Sequence, residues 1–394
     1  MSVSFCHRPL GEIVADVASW NPVRDGQNRL IRYIDLSSVN QDTKVIDPNE
    51  PIVAREAPSR ARQLVQTGDV LVSTVRPNLN GVARVPETLD GSTASTGFCV
   101  LRPKDSKLDG GYLFHWVKAP MFITDMVRKA TGASYPAVSD RIVMESPIPL
   151  PPLAEQQRIA TILDQAEALR AKRRHALAQL DTLTQSLFLD LFGDPIENPQ
   201  RFPVKQLIEI VDQNRPISYG ILMPGPDQEA GVPYVRVVDM NGGGIELGNV
   251  RRTTPEISNE FRRSLLKTGD LLLSIRGHVG RLALVPPELD GANITQDTAR
   301  LAIRDVETSF VCECLRTTSF QRWMAKHTKG VAVRGINLGD VKLVPIPLPP
   351  LSLQREFAAQ MSVVERLKTA QRASLAKLDA LFASLQHRAF LGEL

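Results

Sequence analysis

The 394-residue sequence predicts an α/β (α+β) chain in which two mixed α/β modules are separated by two long helices, the helices pair as an antiparallel coiled coil, and a pseudo-twofold internal repeat relates the halves. Three observations carry this expectation. Residues 147–153 and 345–351 both read PIPLPPL, and a repeat of that kind constrains the architecture before any single element is assigned. Each copy leads into about forty residues free of Gly and Pro. Each copy also follows a stretch of about 150 residues in which short apolar runs alternate with Gly, Pro, Asp and Asn, the pattern of strands and turns.

The length exceeds the roughly 250–300 residues at which one core stops growing, which fits two modules. Hydrophobic residues at 43% and charged residues at 23% lie near globular averages and exclude a disordered, collagenous or disulfide-scaffold chain. Four cysteines, Cys6, Cys99, Cys312 and Cys314, are too few for a disulfide framework. Cys312-x-Cys314 has no second pair or His at ligand spacing, so no metal is expected. No run approaches the ~18 apolar residues of a membrane span, and MSVSFCHRPLGE lacks a signal-peptide core, so the reading is cytoplasmic with no membrane partner. A net charge of +4 permits a nucleic-acid partner whose basic footprint must be local.

The first module, residues 1–150, holds the strand-like GDVLVSTV and GFCVLRP, a helical segment over 110–130, and the polar loop TGASYPAVSD before the proline signature. Residues 151–193 form the first long helix: Pro149, Pro151 and Pro152 set an extended approach, then stop. Its packing stripe is read as Ile159, Leu169, Leu180, Leu183 and Leu187. The second module, 194–348, repeats the scheme with GDLLLSIR, RLALVP, a helix over 309–330 and the loop KGVAVRGINLGD. Residues 349–394 are the second long helix, with the stripe Phe357, Val364, Leu367, Leu378, Leu381 and Leu385. The weak middle of both stripes, at Arg173, Gln371 and Ser374, reads as a stutter. Forty helical residues span roughly 60 Å and need a partner; each helix is the other's best match, though each lying on its own module is the alternative. Looser pairs extend the repeat upstream: TGDVLVS over TGDLLLS, and VPETLDG over VPPELDG.

The doubled IPLPPL followed by EQQRIATILDQAE (155–167) or LQREFAAQ (353–360), the GD-V/L-L-x-S strand in each module and the ending FLGEL resemble, over nearly the whole chain, the specificity subunit of a type I restriction–modification system. The resemblance implies two target-recognition domains, 1–150 and 194–348, held apart by the spacer helices 151–193 and 349–394. It implies a non-catalytic subunit that reads a bipartite site in double-stranded DNA, surrounded by two methyltransferase (M) subunits and the restriction/translocase (R) subunits. It also implies no cofactor in this chain, with S-adenosylmethionine, ATP and magnesium used by those partners. QREF in the second copy departs from the usual EQ-x-R-I form.

No P-loop, HExxH, GxSxG or Asn-Pro-Pro-aromatic motif occurs, so no catalytic residue is assigned. Asp340-Val341-Lys342 is half a nuclease motif without an acidic partner, and NGGGIELG (241–248) reads as a glycine turn. DNA-contacting residues are expected in the loops: Thr74, Arg76, Asn78 and Asn80 after the first GD strand, Arg276 and His278 after the second. Ser134 and Tyr135 in the first module, and Lys326, Lys329, Arg334 and Asn337 in the second, complete the set. These side chains can read base edges or grip phosphates, and the same location recurs in both copies with different residues. The plainer alternative is a set of solvated turns. Glu155, Gln156, Arg158 and Lys172-Arg173-Arg174 are candidates for partner contact or a solvated helix face. A coiled-coil adaptor or an uncharacterised nuclease without type I partners are the rival functions.

Overall fold

The apolar runs form short strands, and the forty-residue segments form two uninterrupted helices, in a computed structural model that describes residues 5–104, 106–330 and 334–394. Val331–Val333, in the middle of the second polar loop, lie outside the described residues. The chain divides into two units, Met1–Arg174 with Ala373–Leu394, and His175–Arg372.

The first unit contains β1 (His7–Pro9), β2 (Val14–Ala15), β3 (Tyr33–Ile34), β4 (Ala61–Leu64), β5 (Val70–Ser73), β6 (Val82–Arg84), β7 (Thr93–Ser95), β8 (Phe98–Pro103), α1 (Gly110–Val117), α2 (Pro120–Lys129) and β9 (Pro147–Pro149). It also holds the first part of the long helix α3 (Leu153–Phe192). A four-stranded antiparallel sheet runs β2-β8-β5-β6, beside a three-stranded sheet β3-β7-β4 in which β3 and β7 are parallel. Val70 and Val72 face a cluster with Tyr112, Trp116, Phe122 and Ile159, whereas Leu71 and Val100 face another with Ile34 and Phe98. Burial on both faces explains why β5 reads as an unbroken apolar run rather than an alternating one.

The second unit contains β10 (Val204–Gln206), β11 (Ser218–Tyr219), β12 (Val232–Val235), β13 (Arg251–Thr253), β14 (Leu271–Ser274), β15 (Leu282–Leu284), β16 (Asn293–Ile294), β17 (Thr298–Leu301), α4 (Thr308–Arg316), α5 (Thr318–His327) and β18 (Pro345–Pro347). With these come the rest of α3 and the first part of the long helix α6 (Leu351–Leu391). Its four-stranded sheet, β11-β17-β14-β15, repeats the first unit's order; its three-stranded sheet, β13-β12-β16, keeps a parallel pair between β12 and β16 but has β12 at the centre, where the first unit has β7.

The repeated motifs prove structural. Gly68 and Gly269 adopt φ of 88° and 85°, a conformation open to glycine. The next residue, Asp69 or Asp270, is buried and accepts the backbone N–H of Gln66 or Lys267 at 2.8 Å. Asp90 and Asp290 of the LDG pairs accept the N–H of Thr67 and Thr268, so TGD and LDG form one turn lock. The PIP strands β9 and β18 pair only with β1 and β10, an edge position where proline costs no ladder bond. Gln156, in the EQQR motif, is buried and donates to the carbonyls of Lys107 and Pro151 while accepting from the Asp109 N–H at 2.9 Å. Gln354 does the same with Pro349 and the Glu307 N–H. Gln156 therefore fastens the helix start to its module and does not face a partner.

Within each unit the helix segments run antiparallel, because partners on α6 fall in number as those on α3 rise. Arg158 meets the Leu394 carbonyl and Arg170 meets Asp379 in the first unit; Asp181 meets Lys368 and Phe192 meets Phe357 in the second. Gln156, Ile159, Leu163 and Ala166, and Gln354, Phe357, Met361, Val364 and Lys368, are buried at alternating spacings of three and four. Thr184, Phe382 and Ala389 continue the same phase, so the seam carries a regular heptad without the expected stutter.

Four residues of the expected stripe leave the seam: Leu169, Leu183, Leu367 and Leu381 are about half exposed. Each lies one position before the true seam residue, respectively Arg170, Thr184, Lys368 and Phe382. The physical reason is that two cations, Arg170 and Lys368, take seam positions by pairing with aspartates of the other helix, with Phe382 and Thr184 as their seam neighbours. Arg170 pairs with Asp379 at 2.6 Å and stacks on Phe382, while Lys368 pairs with Asp181 at 2.8 Å and donates to the Thr184 hydroxyl. Phe357 and Val364 are buried, Ile159 fully so; Leu180, Leu187, Leu378 and Leu385 are half-buried.

Candidate nucleic-acid interface

In the first unit, the turn after β5 winds through a short 3-10 segment, Pro77–Leu79, bounded by Arg76 and Asn80 in the left-handed conformation at φ 51° and 50°. Non-glycine residues enter that region at a cost of about 1–3 kcal/mol and tend to mark functional loops. The 131–137 loop closes on itself through a bridge between Thr131 and Ala137. It turns at Gly132 (φ 104°), where an added Cβ would sit 2.9 Å from the Tyr135 carbonyl. Val75 bridges Ala137, and the Arg76 N–H donates to the Pro136 carbonyl at 2.7 Å. The two loops, sixty residues apart in sequence, thus meet, and the Arg76 guanidinium lies 4.5 Å over the Tyr135 ring. Tyr135 is 67% exposed, with exposed Ser134 and Asn78 in the same loops.

The second unit makes the same junction with other residues. Gly277 and Gly280 supply the left-handed turns. Gly335 bridges both Lys329 and Arg276, the Ile336 N–H donates to Ile275, and the Gly277 N–H donates to the Arg334 carbonyl. A cavity of about 630 Å³ results, lined by Arg276, Gln296, Asp297, Lys329 and Asn337, with Arg276 donating to the Gln296 side-chain oxygen at 3.2 Å. Arg334, next to Gly335 of the lining, is exposed. Guanidinium, carboxamide and ammonium groups gathered at one exposed loop pair suit base edges and phosphates together.

Not every expected residue belongs there. Thr74 is buried; its hydroxyl donates to the Gly97 carbonyl at 2.9 Å and its own carbonyl accepts from Val138, which makes it the hinge that joins the loops. Asn80 is half-buried, and its carbonyl accepts from Lys44 Nζ at 2.6 Å. Lys326 sits exposed on the last turn of α5, outside the cavity lining, and His278 is exposed at the tip of its loop. Gln296 and Asp297, from the turn between β16 and β17, were missed by sequence reasoning. The signal was the polar STASTG segment (92–97) at the equivalent place in the first copy.

Burial, with repulsion from Lys118 second, pushes the Lys44 ammonium down to about 8. It loses its charge as pH rises through that value, whereas an ordinary lysine does so near 10.4. Acylation followed by peptide mapping is expected to show the Lys44 rate rising with a midpoint near pH 8; a midpoint with the other lysines would reject this.

Among the described residues no helix is long and apolar enough to cross a membrane, and no group of three or more His, Cys, Asp or Glu could hold a metal ion. The family model for the type I restriction modification DNA specificity domain matches residues 37–180 and 197–378. The type I restriction enzyme EcoBI specificity subunit of Escherichia coli is 26% identical over 327 residues, covering 75% of this chain and 68% of that protein. The MjaVIII specificity subunit of Methanocaldococcus jannaschii is 24% identical over 287 residues, covering 68% of this chain and 66% of its own. A solved chain, from work on complex assembly and conformational transition of the type I R-M system, matches with a TM-score of 0.56 at 26% identity, over 99% of this chain and 98% of that one. With two matched copies that take in both loop junctions and most of the chain, this protein belongs to the type I restriction modification DNA specificity family.

Proposed function

We propose that each module reads one half of a split DNA target through its loop pair: Arg76, Asn78, Ser134 and Tyr135 in the first, and Arg276, Gln296, Lys329, Arg334 and Asn337 in the second. The family's members are specificity subunits, which are non-catalytic, the catalytic activities lying in other subunits. On this reading two methyltransferase subunits and the restriction/translocase subunits assemble around the chain in the cytoplasm. S-adenosylmethionine, ATP and magnesium are then used by those partners. The observation that supports it is the repeated junction itself: one backbone arrangement, built twice, carrying different side chains each time, as two readers of two sequences require.

Methylation mapping with the assembled methyltransferase tests it. Arg76→Ala is expected to weaken discrimination at positions of one half-site only, and Arg276→Ala at the other only. Each change should cost about 1–3 kcal/mol per misread base pair. Loss of discrimination in both halves from either variant would contradict one module per half-site.

A further inference from the structure

At one core position the second copy carries a charge where the first is apolar. Across the strands, Leu71 faces Val100 in the first unit, and its counterpart Leu272 faces Arg300 in the second. Val100 packs in an apolar cluster; Arg300, only 3% exposed, stands in the equivalent place. Its guanidinium donates to the carbonyls of Leu265 and Pro216 at 3.0 and 2.9 Å, and its Nε has no partner. Two carboxylates attract it, and both are engaged elsewhere: Asp270 by two nitrogens of half-buried Arg215 and Asp212 by Arg304 at 3.8 Å. A buried cation with no carboxylate of its own is costly, and this one borders an open cavity of about 420 Å³.

Exposed Arg262, Arg263 and Lys267 line the same cavity. Asp290, the one carboxylate in its lining, already accepts from Thr268. The cavity also neighbours the candidate interface. Arg262 and Arg263 line a neighbouring cavity with Tyr219 and Leu338, and Leu338 follows Asn337 of the loop-pair cavity. Arg300 is four positions along the chain from Gln296, a reach of no more than about 14 Å.

We infer that the Arg300 cavity seats a backbone phosphate of the bound DNA, flanking the half-site that the second module reads. This rests on the proposed DNA reading and adds a sequence-independent anchor to one module only. Guanidinium forks match phosphate oxygens, and Arg300 holds the local potential positive while Arg262 and Arg263 make the contacts. Free inorganic phosphate presents the same chemistry, and the test separates the two sources.

The experiment uses the full chain assembled with methyltransferase subunits on cognate and half-site-scrambled duplexes, with dissociation constants measured across salt concentrations. The double variant Arg262→Gln/Arg263→Gln changes exposed side chains only, and Arg300→Val restores the first module's core residue. Each is expected to lower the magnitude of the log–log salt slope by about one, and to weaken both duplexes together, on the order of tenfold near 0.1 M salt. The methylated sequence should stay the same. An unchanged slope would overturn the phosphate seat, as would thermal stabilisation of the DNA-free chain by inorganic phosphate that is lost in the variants while the DNA slope is not. A wild-type complex that binds both duplexes equally would instead overturn the DNA-reading proposal.

Discussion

Residues 1–193, expressed with the methyltransferase subunit, should form a homodimer that directs methylation to a palindrome of the first half-site. The fragment cannot complete the first unit's core alone, since Phe382, Ala389 and Phe390 of α6 belong to that core. A second copy offers residues 175–192 in their place. Arg170, which pairs with Asp379, would meet Asp181, the repeat counterpart of that aspartate. Phe192 would stand where Phe390 lies 5.0 Å from Trp116 and 5.3 Å from Tyr112. The substitution is imperfect, because Thr184 replaces Phe382 and the cation–π contact to Arg170 is lost, at a cost of roughly 0.5–2 kcal/mol. A twofold protein imposes twofold symmetry on its site. Methylation mapping reads the outcome directly, and a soluble monomeric fragment, or methylation at the asymmetric parent site, would refute it.

Asp270→Asn should be the most damaging single substitution in the second unit. The carboxylate is 5% exposed as a side chain and is held by Arg215 through two bonds. Its neutralisation leaves Arg215 without its partner and Arg300 with only the attraction of Asp212, and breaking such a pair costs about 3–5 kcal/mol. For a unit of this size that corresponds to a fall of roughly 6–20 °C in Tm. Asp69→Asn in the first unit is the internal control: Asp69 holds Arg102 alike, but no second buried arginine lies beside it, so the fall should be smaller. Equal shifts in calorimetry would show that Arg300 places no load on Asp270.

The repeat and the helices were legible because identity and uninterrupted helical composition survive in the sequence without any geometry. Leucine spacing places the seam one residue out of phase in four places because it passes over the cations at Arg170 and Lys368. A buried cation reads as a surface residue until the aspartate across from it is known. The loop residues were found as types but not as sites. The fold, through the bridges from Val75 to Ala137 and from Arg276 to Gly335, joins segments that are about sixty residues apart in the sequence. Thr74 was chosen for its hydroxyl, which the fold uses to hold the loops together. Gln296 and Asp297 carried no local signal strong enough to stand out from an ordinary turn.

The division of the long helices between the two units reverses the order in which the modules can be finished. The second unit is one continuous stretch, His175–Arg372, but the first draws on Ala373–Leu394. During synthesis at about 5–20 residues per second, the roughly two hundred intervening residues take some 10–40 s to emerge. Throughout that interval Tyr112 and Trp116 lack the ring of Phe390 that covers them in the finished protein. The module begun first therefore waits on the other, and until then the groove over Tyr112 and Trp116 is open to aggregation and to chaperones.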